Sequence, residues 1–445
     1  MEYIFEPEKK IKVCYNADIC VVGGSCTGVF AAVQAARRGA SVVIIEKQNC
    51  LGGVACSGLV NVWHSLYDID FNEQIVAGLT YEIVERLKKS NSVEITQSES
   101  SPIRFDPNAL KYELDKLVLE NKIKLYLHTY YSSIICDGTK VKSIIIDNKD
   151  GRSAINADFF IDATGDGDLM RDLGFKPYYS DKLQPPSSCF FMQGSIKGDI
   201  ADLIEQHGKE FDLDDDWGWS GHIPSLKNIF FRADNHVFDV DCSKADDLTF
   251  AETEGRRKAY SFVNLLKKYD NPECVITALC SSIGIRETKH YETIYKANEM
   301  DLLLGKRYDD AVLNGTYRID IHHANDNGIT FKYLDGRTET MYGKRSTPIL
   351  GDWRKEMNIL GESAKYYQIP FKILVQEKID NIIAAGRMIN ADEGSFGALR
   401  VMVNLNQLGE AAGVAAAISI DQNVPISDID GTDVRKKLKK SGSAL

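Results

Sequence analysis

The sequence predicts an α/β fold built on a mostly parallel sheet, with a second region of α+β character. Three segments support this prediction. Residues 17–47 contain a buried strand, a helix of small residues and a second buried strand. Residues 125–169 alternate strand patterns with Asp-Gly turns, and residues 379–418 contain a further buried strand followed by a long helix. We therefore expect a sheet assembled from separate parts of the chain.

The first segment is a strand–helix–strand unit with a glycine-rich turn, GGSCTG, at residues 23–28. The glycines permit a tight turn and a close approach of helix to strand, and the helix N-terminus then faces the phosphates of a dinucleotide. Ser25 replaces the usual middle glycine and is small enough to leave room for phosphate. Glu46 ends the second strand, 18 residues after Gly28, where its carboxylate accepts hydrogen bonds from ribose hydroxyls.

The later segments distinguish FAD from NAD. The first unit alone fits either dinucleotide. The isoalloxazine ring of FAD extends about 15 Å beyond the pyrophosphate and needs its own support, which an NAD dehydrogenase does not require. The β-meander of residues 125–169 and the strand and helix of residues 379–418 are suited to give that support. We therefore expect FAD as the cofactor.

Composition and charge exclude several other classes of protein. The chain has 445 residues, more than one ordinary core, and a net charge of −11, which does not favour nucleic acid. Its longest small-apolar stretch, residues 411–420, is far short of the ~20 residues that span a membrane. Residues 1–16 lack the apolar region of a signal peptide. We expect a cytoplasmic protein with no nucleic-acid or membrane partner.

The ten cysteines include no C-x-x-C pair, which argues against an iron–sulfur or zinc site and favours reduced, buried thiols. The three aspartates of DATGDGDL, Asp162, Asp166 and Asp168, lack the bidentate glutamate of a calcium loop. We expect no metal.

The chain resembles the FAD-dependent oxidoreductases related to the flavoprotein subunits of fumarate reductase and heterodisulfide reductase. The resemblance covers nearly the whole length, and its motifs occur in the family's order: GGSCTG, EKQNCLGG, IDATGDGDL, DDLTFAETEGRRKA, IGIRETKHYE, YRIDIHH and IPFKILVQEKIDNIIAAGRM. The family's usual GQAAG is GEAAG here, with Glu410 in place of glutamine. The iron–sulfur cysteines of heterodisulfide reductase are absent, which puts electron relay within this chain in doubt.

The resemblance implies a glutathione-reductase-like, Rossmann-type FAD-binding domain with a β-meander, interrupted by an α+β substrate or cap domain. We predict that residues 14–60, 101–185 and 346–432 form the FAD domain, and residues 61–100 and 186–345 the cap region. Non-covalent FAD is expected, since Cys50 and Cys56 occur where relatives carry a tethering histidine. A covalent cysteine link is the minor alternative.

The predicted cofactor contacts come from the glycine turns, the strand ends and the last helix. The helix that begins near residues 400–404 should point its N-terminus at the flavin N1–C2=O edge, where about half a positive charge stabilises the reduced anion. The predicted cofactor-binding residues are Gly23, Gly24, Ser25, Cys26, Thr27, Gly28, Glu46, Lys47, Gly52, Gly53, Val54, Tyr131, Ala163, Thr164, Gly165, Gly386, Arg387, Asn404 and Leu405.

The predicted catalytic residues are arginines and histidines in the family motifs. Arg286 can grip a carboxylate or hydroxyl pair, or be neutralised by Glu287. His322 and His323 alternate along a strand, so at most one faces the flavin, and His322 matches the family position. A histidine is suited to proton removal near neutral pH. The predicted set is Arg286, His322, His290, Arg400 and His64.

The leading functional hypothesis is an FAD-dependent oxidoreductase that transfers a hydride between a small polar metabolite, of CH–OH or CH–NH type, and flavin N5. Reduction of an activated C=C bond is one alternative. An electron-transfer flavoprotein with a separate iron–sulfur partner is another. The sequence leaves open the substrate, the re-oxidant of the flavin and whether the protein forms a homo-oligomer.

Overall fold

The structure is a computed structural model that describes residues 2–99, 102–213, 218–324, 326–343 and 346–445, with only the backbone of residue 234. The strands are β1 Val13–Val22, β2 Val42–Ile45, β3 Val62–Trp63, β4 Val93–Ile95, β5 Ile103–Phe105, β6 Lys124–Tyr126, β7 Tyr130–Asp137, β8 Lys140–Asn148, β9 Gly151–Asp162, β10 Pro177–Tyr178, β11 Ser187–Gln193, β12 Trp219–His222, β13 Ile229–His236, β14 Val275–Leu279, β15 His290–Tyr291, β16 Ala311–Gly315, β17 Ile319–His322, β18 Gly328–Lys332, β19 Arg337–Tyr342, β20 Ile349–Asp352, β21 Tyr367–Pro370 and β22 Ile382–Ala384. The α-helices are α1 Cys26–Ala36, α2 Gly78–Lys89, α3 Pro107–Glu120, α4 Asp168–Asp172, α5 Ile200–His207, α6 Ala245–Tyr269, α7 Glu299–Leu303, α8 Trp353–Glu356, α9 Glu393–Leu399, α10 Met402–Gln422 and α11 Gly431–Lys440.

The main sheet collects strands from distant parts of the chain. Its order is β6-β2-β1-β9-β8-β7, and β22 also pairs with β9. Strands β6, β2, β1, β9 and β22 pair in parallel, whereas β7, β8 and β9 form an antiparallel meander. The molecule is thus a mixed α/β protein, as the sequence predicts.

The two faces of the main sheet bury different residues of the same strands. Ile19 and Val21 of β1 pack under α1, α3 and α10, whereas Cys20 and Val22 pack with the meander and α4. This division follows from the period of two in a strand, and both faces are covered. The carboxyl ends of β1, β2, β9 and β22 therefore meet at one edge of the sheet, where the glycine turn lies.

Helix α10 crosses α1 at very short range because of two glycines. A Cβ at Gly409 would lie 2.2 Å from the carbonyl oxygen of Thr27, and one at Gly413 would lie 2.0 Å from that of Ala31. This confirms that small residues let the last helix approach the first one closely. Any side chain at these positions would push the helices apart.

The region between β9 and β22 forms smaller sheets. Strands β12-β13-β11-β14 form one four-stranded sheet, on which the long helix α6 packs, and β17-β18-β19-β20 form another. Residues 100, 101 and 345, where predicted domain boundaries fall, lie outside the described residues, and the division into domains stays a prediction. Nowhere in the described ranges is a helix both long and apolar enough to cross a membrane.

Candidate active site

The first glycine turn is held against the end of β9. Gly23 has φ +108°, and a Cβ there would lie 2.3 Å from the carbonyl oxygen of Ala163. A Cβ at Gly28 would lie 2.0 Å from the carbonyl oxygen of Gly23. Only glycine fits either position, so the turn is closed as tightly as a pyrophosphate cradle requires.

The second glycine turn forms one wall with the first. Ser25 is the N-cap of α1 and accepts a hydrogen bond from the Gly28 amide at 3.4 Å. The amide of Gly52 donates to the Gly24 carbonyl at 2.8 Å, and a Cβ at Gly53 would lie 2.8 Å from that of Ser25. The serine that replaces a glycine in the motif is therefore the helix cap, and it leaves the amides of Cys26 and Thr27 at the N-terminus of α1.

Glu46 places a buried carboxylate beside this cradle. Its side chain is 7% exposed, and its Oε2 accepts from the Gly24 amide at 2.6 Å. Its Oε1 accepts from the amide of Gln48 at 2.7 Å. A carboxylate at the glycine turn is the group that binds ribose hydroxyls in dinucleotide sites. The turn, the helix N-terminus and Glu46 together fit the adenosine diphosphate half of FAD.

The segment after β9 lies directly against the first glycine turn and continues the same wall. Asp162 is fully buried and accepts hydrogen bonds from the amides of Thr164, Leu169 and Met170. Burial raises its pKa to about 6, although these bonds oppose the rise. The carboxylate thus caps α4 and holds the Ala163–Gly165 turn in place. Within the described residues, no three histidine, cysteine or acidic side chains are grouped to hold a metal, and the absence of a metal stays a prediction.

Arg387 reaches across this wall from the turn after β22. Its Nη2 donates to Asp166 Oδ1 at 2.6 Å, and a Cβ at Gly165 would lie 2.5 Å from its Nη1. Burial would raise the pKa of Asp166, but Arg387 and the hydroxyl of Thr288 hold it below its usual value. Gly386, with φ +154°, lets the chain turn here. The guanidinium is therefore fixed beside the Ala163–Gly165 turn, and its contact with the cofactor stays a prediction.

The other predicted cofactor residues lie in different surroundings. Helix α10 begins at Met402 without a side-chain cap, and Asn404 in its first turn donates to the Tyr367 hydroxyl at 3.0 Å. The Oδ1 of Asn404 is buried without a hydrogen-bond partner. The side chain of Tyr131, by contrast, packs on the meander face and donates to Asp172 at 2.7 Å. The cofactor-binding roles of all the predicted residues, including Lys47, Val54, Tyr131 and Leu405, stay predictions.

A second group of polar side chains gathers around the end of β17. Asp320 and His322 are two residues apart on this strand, so their side chains lie on the same face. His322 Nε2 lies 3.3 Å from Asp320 Oδ1. Arg400 Nη2 lies 3.6 Å from the same oxygen and donates to the Asp320 carbonyl at 3.1 Å. The Tyr317 hydroxyl donates to Asp320 Oδ2. Asp320 Oδ1 itself is buried, and no group in the described part of the chain forms a hydrogen bond with it.

Three more residues lie beside this group: Arg286 and His64, which the sequence predicts, and His236, which it does not. His236, at the end of β13, lies with its Nε2 3.0 Å from His322 Nδ1. Burial, followed by the charge of Arg286, holds the pKa of both imidazoles well below the usual range. The ring of His64 lies 3.8 Å from that of Tyr317 between centroids. Arg286 donates to Ser187 Oγ at 2.6 Å, and Ser187 is paired with His236 between β11 and β13. The structure therefore brings together four of the five predicted catalytic residues: Arg286, His322, Arg400 and His64.

The fifth, His290, sits in a separate set of contacts. Its Nδ1 lies 2.9 Å from the Ile389 carbonyl oxygen and its Nε2 3.2 Å from Glu287 Oε1, with 1% of the residue exposed. Burial would raise the pKa of Glu287, but hydrogen bonds from His290, Ser180 and the Gln184 amide hold it below its usual value. Both ring nitrogens of His290 are thus engaged. This arrangement favours a structural histidine, and our proposal for catalysis does not use it.

The motifs did not indicate His236, Asp320 or Tyr317, nor Gln184, whose Oε1 accepts a hydrogen bond from the His322 amide at 3.2 Å. Asp320 and Tyr317 lie inside the YRIDIHH motif, and the two-residue spacing from Asp320 to His322 was a usable signal. His236 has no motif around it, and only folding brings it to His322. The predicted alternation is confirmed, because His322 is buried while His323 is half-buried and binds Asp326 and Thr330 instead.

The sheet, the glycine cradle and its carboxylate define a dinucleotide-binding protein of the mixed α/β class. The chain belongs to the FAD dependent oxidoreductase family, whose model matches residues 18–438. The protein is therefore an enzyme, an FAD-dependent oxidoreductase, and FAD is its cofactor. No curated protein matches the chain.

Several solved structures are similar to the chain at low identity. A geranylgeranyl bacteriochlorophyll reductase-like protein from Thermoplasma acidophilum is 12% identical, with 96% of this chain and 82% of that one covered and a TM-score of 0.47. A myxobacterial chondrochloren halogenase is 9% identical, with 96% and 79% covered and a TM-score of 0.45. The p-nitrophenol 4-monooxygenase of Pseudomonas putida DLL-E4 is 10% identical, with 63% and 70% covered and a TM-score of 0.42. At these values the chemistry of those enzymes does not transfer to this chain.

Proposed function

We propose that the enzyme oxidises a small polar metabolite of CH–OH or CH–NH type. When bound, FAD supplies the acceptor for the hydride at N5. The observation that carries the proposal is the unpartnered oxygen Asp320 Oδ1, buried between His322 Nε2 and Arg400 Nη2. Within the described residues these two neighbours, at 3.3 and 3.6 Å, make no hydrogen bond to it, so this buried oxygen can still accept one from a ligand. A substrate hydroxyl or amine supplies such a donor.

The chain's own residues divide the remaining work. Arg286 and Arg400 bind and orient the substrate, and the Asp320–His322 pair takes its proton. Burial keeps the pKa of His322 low, so the imidazole is neutral at physiological pH. The positive charges of Arg286 and Arg400 favour a substrate that also carries a carboxylate or several hydroxyls. The Tyr317 hydroxyl bonded to Asp320 Oδ2 holds the carboxylate in position.

The cradle holds the cofactor without a covalent link in this proposal. Cys56 is 1% exposed, its thiol lies 3.7 Å from the Pro107 carbonyl oxygen, and burial raises its pKa well above the usual value. Such a thiol is not a thiolate, which is the form that attacks a flavin ring. The closer relation to fumarate reductase and heterodisulfide reductase flavoproteins belongs to the same proposal, as does a cytoplasmic location.

Reduction of an activated C=C bond is the second candidate, because Arg400 lies close enough to the Asp320–His322 pair to act with it as a proton donor. Direction and substrate type are tested together. The holoenzyme is mixed without oxygen with hydroxy acids, polyols and amino alcohols, and flavin bleaching is followed. If one of these compounds bleaches the flavin with no partner protein present, the result supports oxidation. If an activated alkene re-oxidises bleached flavin, and no alcohol or amine reduces the flavin, the result supports the alternative.

The proton-exchanging pair is then tested by substitution. His322→Ala and Asp320→Asn should each slow flavin reduction by about 10²–10⁴-fold, the usual contribution of general acid–base catalysis, with FAD content unchanged. His323→Ala is the matched control, since this neighbour binds Asp326 and Thr330 and should react at the wild-type rate. Full activity in both His322→Ala and Asp320→Asn would disprove the assignment.

A further inference from the structure

Two buried imidazoles meet beside the proposed proton acceptor. His236 ends β13 and His322 ends β17, 86 residues apart, and their facing nitrogens, His236 Nε2 and His322 Nδ1, are 3.0 Å apart. Each residue is 7% exposed. A contact of this length between two ring nitrogens requires one proton between them, carried by either ring.

Burial and nearby cations lower the pKa of both rings and so favour their neutral forms, which leaves two arrangements of the protons. Asp320 lies 3.3 Å from His322 Nε2, the positive charges of Arg286, Arg400 and Arg318 also act on His322, and that of Lys258 acts on His236. Burial and this excess of positive charge oppose a third proton on the pair. Either His322 donates from Nδ1 and leaves its Nε2 bare, or His236 donates from Nε2 and the proton of His322 sits on Nε2.

Asp320 decides between the two. Its Oδ1 is buried, lies 3.3 Å from His322 Nε2 and forms an ion pair with Arg400 Nη2 at 3.6 Å. A bare Nε2 would turn a lone pair toward a carboxylate oxygen in a site of low dielectric, which is repulsive. A protonated Nε2 turns a positive hydrogen toward it instead. The tautomer of a histidine is set by the partner of its other nitrogen, and here that partner is His236.

We propose that His236 is a positioning residue of the reaction: its Nε2–H donates to His322 Nδ1 and keeps the His322 proton on Nε2, facing Asp320. In consequence Asp320 Oδ1 is the atom that accepts the substrate's proton, and His322 Nε2–H steadies the carboxylate until the proton arrives. This role deepens the proposed function and rests on it, whereas the arrangement of protons can be observed without any substrate.

The tautomers are measured directly in the oxidised holoenzyme. Histidine labelled with ¹⁵N in the ring is incorporated, and the nitrogen shifts and one-bond N–H couplings are recorded at neutral pH, with His322→Asn and His236→Asn spectra assigning the signals. We expect a proton on Nε2 of both rings and a bare Nδ1 on His322. A proton on His322 Nδ1, or a doubly protonated His322, would overturn the proposal whatever the substrate proves to be.

Two substitutions of His236 distinguish the effect of its N–H donor from the effect of its ring. Glutamine places an amide N–H near the position of Nε2, whereas phenylalanine keeps a ring and offers no donor. His236→Phe should lose the Nε2-protonated signal of His322 and reduce flavin at least about tenfold more slowly with the screened substrate, and His236→Gln should restore both toward wild type. His323→Gln is the matched control. If His236→Phe keeps the His322 tautomer, His236 does not set it; if the tautomer changes while flavin reduction does not, His236 is not a positioning residue.

Discussion

Glu410, the residue that replaces glutamine in the family's usual GQAAG motif, should make the stability of the protein depend on pH. It lies on α10 with 1% of its surface exposed. Its Oε2 accepts from Gln34 Nε2 at 2.5 Å, and its Oε1 accepts from the Leu79 amide at 3.1 Å, at the N-terminus of α2. Burial raises its pKa from the ordinary 4.5 to about 7, although both hydrogen bonds oppose the rise.

The size and sign of the effect follow from this pKa. Between pH 4.5 and about 7 the folded protein keeps a proton on Glu410 that the unfolded chain has lost. The contribution of Glu410 to stability is therefore greatest below pH 4.5 and falls as pH rises to about 7. Each unit of pKa difference between the folded and unfolded states is worth about 1.4 kcal/mol. Above pH 7.5, ionised Glu410 therefore lowers the unfolding free energy by about 3 kcal/mol. Between pH 5 and pH 8.5 the change is about 2–3 kcal/mol.

The assay compares wild type with Glu410→Gln by urea unfolding at pH 5 and pH 8.5, with the same excess of FAD throughout. Glutamine has the same size and cannot titrate. The unfolding free energy of the variant minus that of wild type should therefore be about 2–3 kcal/mol more favourable to the variant at pH 8.5 than at pH 5. Asp162, whose pKa is raised to about 6, titrates in both proteins, so its effect cancels in the difference between their stabilities. Glu85→Gln is the control on α2, because that carboxylate is half-exposed and bound to Lys88. An equal difference between wild type and Glu410→Gln at both pH values would refute the reasoning.

Three further predictions follow from the cradle, the helix contact and the substrate arginine. Glu46→Ala removes a charge-assisted hydrogen bond of about 1.5–3 kcal/mol, so FAD titration should show about 10- to 150-fold weaker binding; unchanged affinity would contradict the ribose assignment. Gly413→Ala should lower the unfolding free energy by about 1–3 kcal/mol because its Cβ meets a backbone oxygen at 2.0 Å, whereas Gly198→Ala, with its nearest neighbour at 3.4 Å, should cost less. Arg286→Ala should raise the substrate concentration needed for half-maximal flavin reduction more than it lowers the limiting rate, and the reverse pattern would assign Arg286 to the chemical step.

Local sequence was enough to predict the cofactor half of the molecule. The turn at residues 23–28 and the carboxylate of Glu46 belong to one strand–helix–strand unit, in which spacing along the chain fixes position in space. Glycine at positions 23 and 28 indicates a backbone with no room for a Cβ. In the structure, a Cβ at either position would lie too close to a backbone oxygen. The dinucleotide site could therefore be predicted from fewer than thirty consecutive residues, and the family match supports FAD.

The partners of the buried polar side chains were decided only by the tertiary structure. His236 reaches His322 from 86 residues away, and Glu410 reaches Gln34 from 376 residues away. Periodicity and turn residues specify which elements form, because they act within a few residues of each other. The partner of a buried polar side chain depends instead on which distant elements pack together. For this reason the sequence indicated Arg286 and His322 as candidates by motif, while the neutral histidine pair and the unpartnered oxygen of Asp320 required the folded chain.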